Sequence, residues 1–383
     1  MNKLFWILGL LFPVVLHLVS SNGFFYSNLF LLLLFILKAL DFFFVQKKWK
    51  AHYDFQFLLL VMALFYFVFL AVYFKFGQWG GRDFFSLLIL FFVLFVFLQL
   101  PGYPKENLRK ILPRNWVATC LQILISFSIL LLFFYLLNSN LFANAEKRFM
   151  GWSSSPTTFS IYCMWVIFFA YHLIEMNKFW RILLLIIGLI VVFLSGTRSS
   201  LLVYIIFGFS FIPILHHILR KNFFLLVVGF IFLFLFFDTI SLFLFEEYMN
   251  NWLGRYKQDD DMSLLTRQVI TSGMLHTISN SSFTELFFGH GINFSLGQLN
   301  SNKGEVVILA HNDFLKFIVD FGLYLTMSMF YLVFRIFKSF SGKSYIPLLI
   351  YFCSYFHNMA LDHWNLFFLL LSGVVLFAFE KKY

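Results

Sequence analysis

The stretch Val117–Leu137, VATCLQILISFSILLLFFYLL, runs through 21 residues without a single Asp, Glu, Lys or Arg. About 20 apolar residues in a helix cross a hydrocarbon core about 30 Å thick, and in lipid only helices and closed barrels satisfy their own backbone polar groups. The run therefore predicts a membrane-spanning helix. Eleven more runs read the same way: Leu4–Val19, Phe24–Leu40, Phe55–Phe74, Phe84–Leu100, Thr158–Ile174, Phe179–Leu194, Ser199–Leu215, Phe223–Leu244, Phe314–Phe334, Tyr345–Leu361 and Leu366–Phe379. The last is short for a span and has room to begin earlier, near Trp364. Composition agrees: 61% of the 383 residues are hydrophobic and 12% charged, against roughly 25% charged in an average soluble domain. The expectation is an all-α, polytopic membrane protein of about twelve transmembrane helices, forming a single integral membrane domain over residues 1–383.

Orientation follows from the connections. With the N-terminus inside, the inner segments hold 18 of the 28 Lys and Arg residues, among them Lys47, Lys48, Lys105, Arg109, Arg114, Lys178, Arg181, Lys381 and Lys382. Excess basic charge marks the cytoplasmic side, so both termini are expected in the cytoplasm. The net charge of +10 is thereby a matter of topology, and no nucleic-acid partner is expected. Lys3 followed by Leu4–Val19 has the charge pattern of a signal peptide, but no small-residue cleavage motif follows, and the run reads as a retained first helix. Cys120, Cys163 and Cys353 fall inside apolar runs and read as core residues.

This arrangement leaves one long polar stretch, Phe245 to Phe321, on the periplasmic side between the ninth and tenth spans. Its loop, 245–312, is expected to carry part of an active site. It holds Arg255, Lys257, Asp259 to Asp261, Arg267, His276, His290, Glu305 and His311, and ionisable groups kept beside a bilayer mark function. Met262–Ile278 reads as a helix whose N-terminus is preceded by acidic residues, as the helix dipole favours.

Three signals in outer positions can carry chemistry. Arg198, in the turn Ser195-Gly196-Thr197-Arg198 between the seventh and eighth spans, presents a planar, permanently charged fork that matches phosphate oxygens. Read alone, it is also a helix-end arginine reaching for headgroups. Arg267 is a second cation, in Thr266-Arg267-Gln268. His311, followed by Asn312, places imidazole at the entrance to the tenth span, where it can act as a general base or merely cap the helix.

Together, Ser195-Gly196-Thr197-Arg198, Arg267, Phe288-Gly289-His290-Gly291-Ile292-Asn293 and Ala310-His311-Asn312-Asp313-Phe314-Leu315 before Gly322-Leu323 resemble the bacterial O-antigen ligase and polymerase superfamily, in the same order. Arg148-Phe149-Met150-Gly151 with Ser155-Pro156-Thr157 is similar to a weaker element of that family. The resemblance implies a metal-independent, cofactor-free, inverting glycosyltransferase of the GT-C class in the bacterial inner membrane. Its donor would be an undecaprenyl-diphosphate-linked glycan, used at the periplasmic face.

By the same resemblance Arg198 and Arg267 would hold the diphosphate and His311 would be the catalytic base. Arg148 and Asn312 would support them. The acceptor implied first is a lipid A-core sugar, as for a ligase; for a polymerase it is another lipid-linked repeat unit, and for an oligosaccharyltransferase a protein. Two positions depart from the family pattern: Leu325 stands where ligases tend to have Gly, and Thr157 where Asn is usual. A metal reading competes at Asp259-Asp260-Asp261, whose spacing suits Mg²⁺ or Mn²⁺, and more weakly at His357, Asp362 and His363. A rival of another class, a transporter or flippase of lipid-linked sugar, would place charges in mid-membrane, where the expected spans carry few.

Overall fold

A computed structural model describes residues 5, 8–11, 23–41, 81–98, 100, 105–112, 114–144, 147–153, 155–209, 272–290, 313–341, 346–355 and 363–379. Regular structure among them is helical, apart from one isolated antiparallel bridge between Ala143 and Phe149. The helices are α1 (Gly23–Leu40), α2 (Gly81–Leu98), α3 (Lys105–Ile111), α4 (Arg114–Leu137), α5 (Pro156–Leu173), α6 (Lys178–Leu194), α7 (Arg198–Phe209), α8 (Phe283–Phe288), α9 (Asp313–Ser341), α10 (Ile346–Tyr355) and α11 (His363–Phe379). A further helical segment covers 272–280. The runs expected at Phe55–Phe74 and Phe223–Leu244, and the loop from 245 to 271, lie outside the described residues. Among the described residues, α4 alone is long and apolar enough to cross a membrane unbroken, and two stretches of α9 pass the same test together.

Two helices form the axis of the bundle. α5 and α11 are apolar around their whole circumference, which suits a helix enclosed by others, and nearly every residue of each is buried. α5 packs on α4, α6, α7, α10 and α11, while α11 also meets α2, α3 and α9. The Trp165 indole of α5 donates to Asn365 Oδ1 of α11 at 3.0 Å, and Phe35, Phe97 and Phe367 tie α1 and α2 to α11. α4 and α6 stand outside this axis and expose Ile123, Phe133, Leu137, Ile186, Ile190 and Phe193. An apolar face of this extent suits acyl chains rather than water. Lipid gives no hydrophobic drive to helix association, so close packing must supply it, and small residues let backbones approach. Gly188 of α6 shows this: a Cβ there would run into Ile167 and the Tyr204 hydroxyl.

The bundle has two chemically distinct ends. At one, Arg109 Nε donates to Ala378 O at 2.7 Å and Arg114 Nε to Leu173 O at 2.9 Å, satisfying carbonyls that the last turns of α11 and α5 leave open. Arg114 also pairs with Glu175 at 2.8 Å, and Lys105 lies over the Phe377 ring. These are residues expected inside. At the other end of α4, Tyr135 Oη donates to Lys147 O at 2.7 Å, beside Arg148. The basic connections and the Arg148 loop thus fall at opposite ends of the bundle.

One expectation needs correction. Phe314–Phe334 is not one straight span: α9 is non-helical at Gly322 (φ 76°, ψ 169°), and its stretches Leu315–Tyr324 and Thr326–Phe340 lie at 93° to one another. A left-handed φ next to an extended ψ is open to glycine and stops the helical ladder there. The helix expected at Met262–Ile278 is described from 272 and continues to 280, two residues past the expected end.

Candidate functional site

Arg148 sits in a tight loop between α4 and α5. Its N–H donates to Asn144 Oδ1 at 2.8 Å, Asn144 N–H returns to Arg148 O at 3.1 Å, and Met150 N–H donates to Phe142 O at 2.9 Å. Lys147 takes a left-handed φ of 59° to close the turn. The fully buried Phe149 anchors the loop between Tyr135 and Phe159, at ring separations of 4.9 and 5.1 Å.

Held this way, the loop reaches the end of α6. Phe149 N–H donates to Leu194 O at 3.1 Å and Arg148 Nε to Ser195 O at 2.8 Å. These carbonyls belong to the last residue of α6 and to the turn that follows it. Gly196 has φ +65°, and a Cβ on it would lie 3.0 Å from Arg148 Nε, so the guanidinium lies against a backbone that has no side chain to displace it. Ser195 and Thr197 are buried, and Ser195 Oγ donates to Val192 O at 2.6 Å. Helix α7 starts at Arg198. Two residues on, Ser200 Oγ lies 2.9 Å from Ser160 Oγ, and Ser160 Oγ donates to Thr157 O at 2.8 Å. Arg198 is therefore placed by anchors on both sides. The exposed N–H groups of this first helical turn favour an anion, as the helix dipole does.

Replacing Arg148 with alanine should cost about 1.5–3 kcal/mol, the range for a hydrogen bond to a charged group, less whatever its half-exposed setting screens. The measurement is thermal unfolding in detergent, and a midpoint equal to that of the parent would show that Ser195 O does not depend on Arg148.

A second constellation joins the Gly289-His290 motif to α9. Ser282 caps α8: its Oγ accepts from Glu285 N–H at 3.3 Å and Glu285 Oε2 accepts from Ser282 N–H at 2.8 Å, a reciprocal capping box. The Ser282 hydroxyl, then its backbone N–H, and then His290 hold the Glu285 carboxyl below its ordinary range. α8 ends at Gly289 (φ +86°), whose N–H donates to Glu285 O at 2.7 Å. His290 N–H then donates to Val319 O at 2.9 Å. The break at Gly322 prevents an unbroken ladder past Val319, and His290 supplies a donor to its carbonyl. Phe287 rests 5.4 Å from the Tyr324 ring. Gly289-His290 and the stretch of α9 around Gly322, separate in the chain, are thus in contact.

Arg267, His311 and Asn312 lie outside the described residues, as do Asp259 to Asp261, His357 and Asp362. His363 opens α11, with its side chain outside the description. Cys120 and Cys163 are free and buried, as expected of core residues. Among the described residues no group of three His, Cys, Asp or Glu could hold a metal ion. Sequence reasoning did not single out Asn144, Ser160 or Ser281 for roles at these sites. The Ser282-x-x-Glu285 pattern before α8 was legible as a capping signature.

Residues 183–330 match the family model described as O-Antigen ligase. No curated protein matches the chain. The matched span takes in the turn at 195–198, Arg267, Gly289, His290, His311 and the break at Gly322. Arg148 precedes it, yet is hydrogen-bonded into it through Ser195.

Proposed function

We propose that the chain, whose residues 183–330 match the O-antigen ligase family model, is an inner-membrane glycosyltransferase that moves an undecaprenyl-diphosphate-linked glycan onto a lipid A-core sugar at the periplasmic face. The observation that carries the reading is the coincidence of the family match with the anchored turn from which Arg198 starts α7.

The acceptor hydroxyl oxygen attacks the anomeric carbon from the face opposite the diphosphate, which inverts the configuration. The carbon–oxygen bond to phosphate breaks as the new glycosidic bond forms. His311 takes the hydroxyl proton, and undecaprenyl diphosphate departs with the bonding electrons. Arg198 and Arg267 stabilise the charge that accumulates on its leaving oxygen, as cations held at a departing phosphate do. Asn312 orients His311 or caps the tenth span. The basic end of the bundle, with Arg109 and Arg114, faces the cytoplasm in this reading, and the Arg148 end faces the periplasm.

A chromosomal deletion strain analysed by lipopolysaccharide gel and by extraction of lipid-linked glycan tests it. A ligase leaves a bare core with long chains retained on the lipid carrier. Single repeats attached to the core would instead assign the polymerase reaction, which the same chemistry performs. Glycan accumulating on the cytoplasmic leaflet would overturn both in favour of transport.

A further inference from the structure

Helix α8 presents an aromatic ring at the surface. Phe283, in its first turn, is 78% exposed. Its ring stacks on Phe287, one turn further along, with centroids 5.9 Å apart and planes 16° from parallel. Phe287 in turn lies 5.4 Å from the Tyr324 ring, inclined at 30°. The three rings form an offset pile of the kind aromatic quadrupoles favour, with Phe283 outermost. The pile stands on a fixed base. Ser281 Oγ donates to Thr277 O at 2.6 Å and lies 2.7 Å from His290 Nε2, and the capping box of Ser282 and Glu285 closes the first turn of α8. From Thr326, two residues past Tyr324, α9 runs about 21 Å to Phe340, which meets Phe377 beside Lys105. The rings therefore gather at the end of this stretch remote from the basic connections.

An exposed ring serves either a bilayer surface or a ligand, and its neighbours decide between them. Segments that lie on a membrane surface carry Lys or Arg for the headgroups. Residues 272–290 hold neither, and Phe283 is flanked by the exposed Ser282, Thr284 and Glu285. The Glu285 carboxyl, held below its ordinary range first by Ser282, opposes anionic headgroups and the diphosphate of a lipid-linked donor alike. A neutral pyranose suits this surface: the C–H groups of one sugar face lie on a flat ring, and the hydroxyls at its edge meet hydroxyl and carboxylate partners. We propose that Phe283, backed by Phe287 and Tyr324, is a stacking platform for a neutral pyranose of the acceptor saccharide, with Thr284 and Glu285 at its rim on the sugar hydroxyls. The platform deepens the transferase reading and rests on it. Its fixed base means that little order has to be imposed when the sugar binds.

Full-length protein in nanodiscs, with purified lipid-linked glycan as donor and lipid A-core as acceptor, tests it. Phe283→Ala should raise the KM for acceptor about two- to tenfold, the range of one aromatic pair, while kcat and the KM for donor stay within about twofold. The unfolding midpoint should not move, because the ring is at the surface. Phe283→Trp, which keeps a flat ring, should retain the parental KM, whereas Phe283→Leu, which keeps hydrophobicity without the ring, should behave as the alanine variant. Saturation-transfer NMR with delipidated core oligosaccharide gives a readout independent of turnover: pyranose ring protons should be saturated by the parent and not by Phe283→Ala. A parental acceptor KM in Phe283→Ala or in Phe283→Leu, a change confined to the donor KM, or no saturation of the sugar by the parent would overturn the platform and leave the transferase reading intact. A parent protein that transfers no glycan between these substrates would instead remove that reading, and with it the assignment of the sugar as acceptor.

Discussion

His311→Ala should reduce glycan transfer by about 10²–10⁴-fold, the range general-base catalysis contributes, while donor binding persists. A sugar hydroxyl is a poor nucleophile until its proton has somewhere to go, and imidazole is the side chain whose ordinary pKa lies nearest neutrality. In the proposed reaction the arginines act on the other partner, the diphosphate, so removing the imidazole should leave their contribution in place. This separation makes the outcome diagnostic: a single-turnover assay should show donor bound and unreacted. Arg198→Ala should show the converse, with binding and rate falling together, because the proposed role has the cation act on the donor before and during departure. Transfer at the parental rate in His311→Ala would eliminate the imidazole as base, whatever the fate of the glycan.

How much of this could be read from residue order depends on which interactions are local. The starts and ends of α1, α5 and α6 agree with the apolar runs to within two residues, because an uninterrupted apolar helix needs only its own backbone bonds to be viable in lipid. What the pattern cannot give is rotation. In α4 the buried Leu121, Leu124 and Leu131 and the exposed Ile123, Leu130 and Phe133 are equally apolar, so periodicity does not distinguish a neighbour helix from an acyl chain.

The break in α9 was illegible for a related reason. Phe321-Gly322-Leu323 sits in a mostly apolar run interrupted by Lys316 and Asp320, and an isolated glycine there is compatible with a straight helix. The break is sustained by a donor from His290 and by the approach of Gly289, both distant in the chain. The Arg148 contact, 47 residues from Ser195, is tertiary in the same sense. The resemblance flagged Arg148 as supporting, but nothing in residue order could show that its Nε would lie on the carbonyl that precedes Gly196.

Gly289→Ala carries the largest expected structural effect. A Cβ at this position would stand 2.5 Å from Asp320 O and 2.6 Å from Gly322 N. Both are backbone atoms of the broken segment, so no rotamer change relieves the contact and one chain must move. The φ of +86° adds a penalty of about 1–2 kcal/mol for an L-residue, and overpacking adds about 1–3 kcal/mol, for a combined cost of about 2–5 kcal/mol. Movement that relieves the clash pulls His290 N–H away from Val319 O and leaves that carbonyl in need of another donor beside the bilayer. Transfer should fall with the unfolding midpoint in detergent. Gly273→Ala is the matched control, because no atom lies within 4 Å of its would-be Cβ; it sits in a helix, where alanine is favoured over glycine by about 1 kcal/mol, and should be neutral or stabilising. Gly322→Ala should resemble Gly289→Ala, since its φ of 76° is equally left-handed. Because the two glycines meet at one contact, the double variant should lose less than the sum of the singles. Strict additivity between them, or a Gly289→Ala protein as stable and active as its parent, would mean that the break in α9 stands without the loop that touches it.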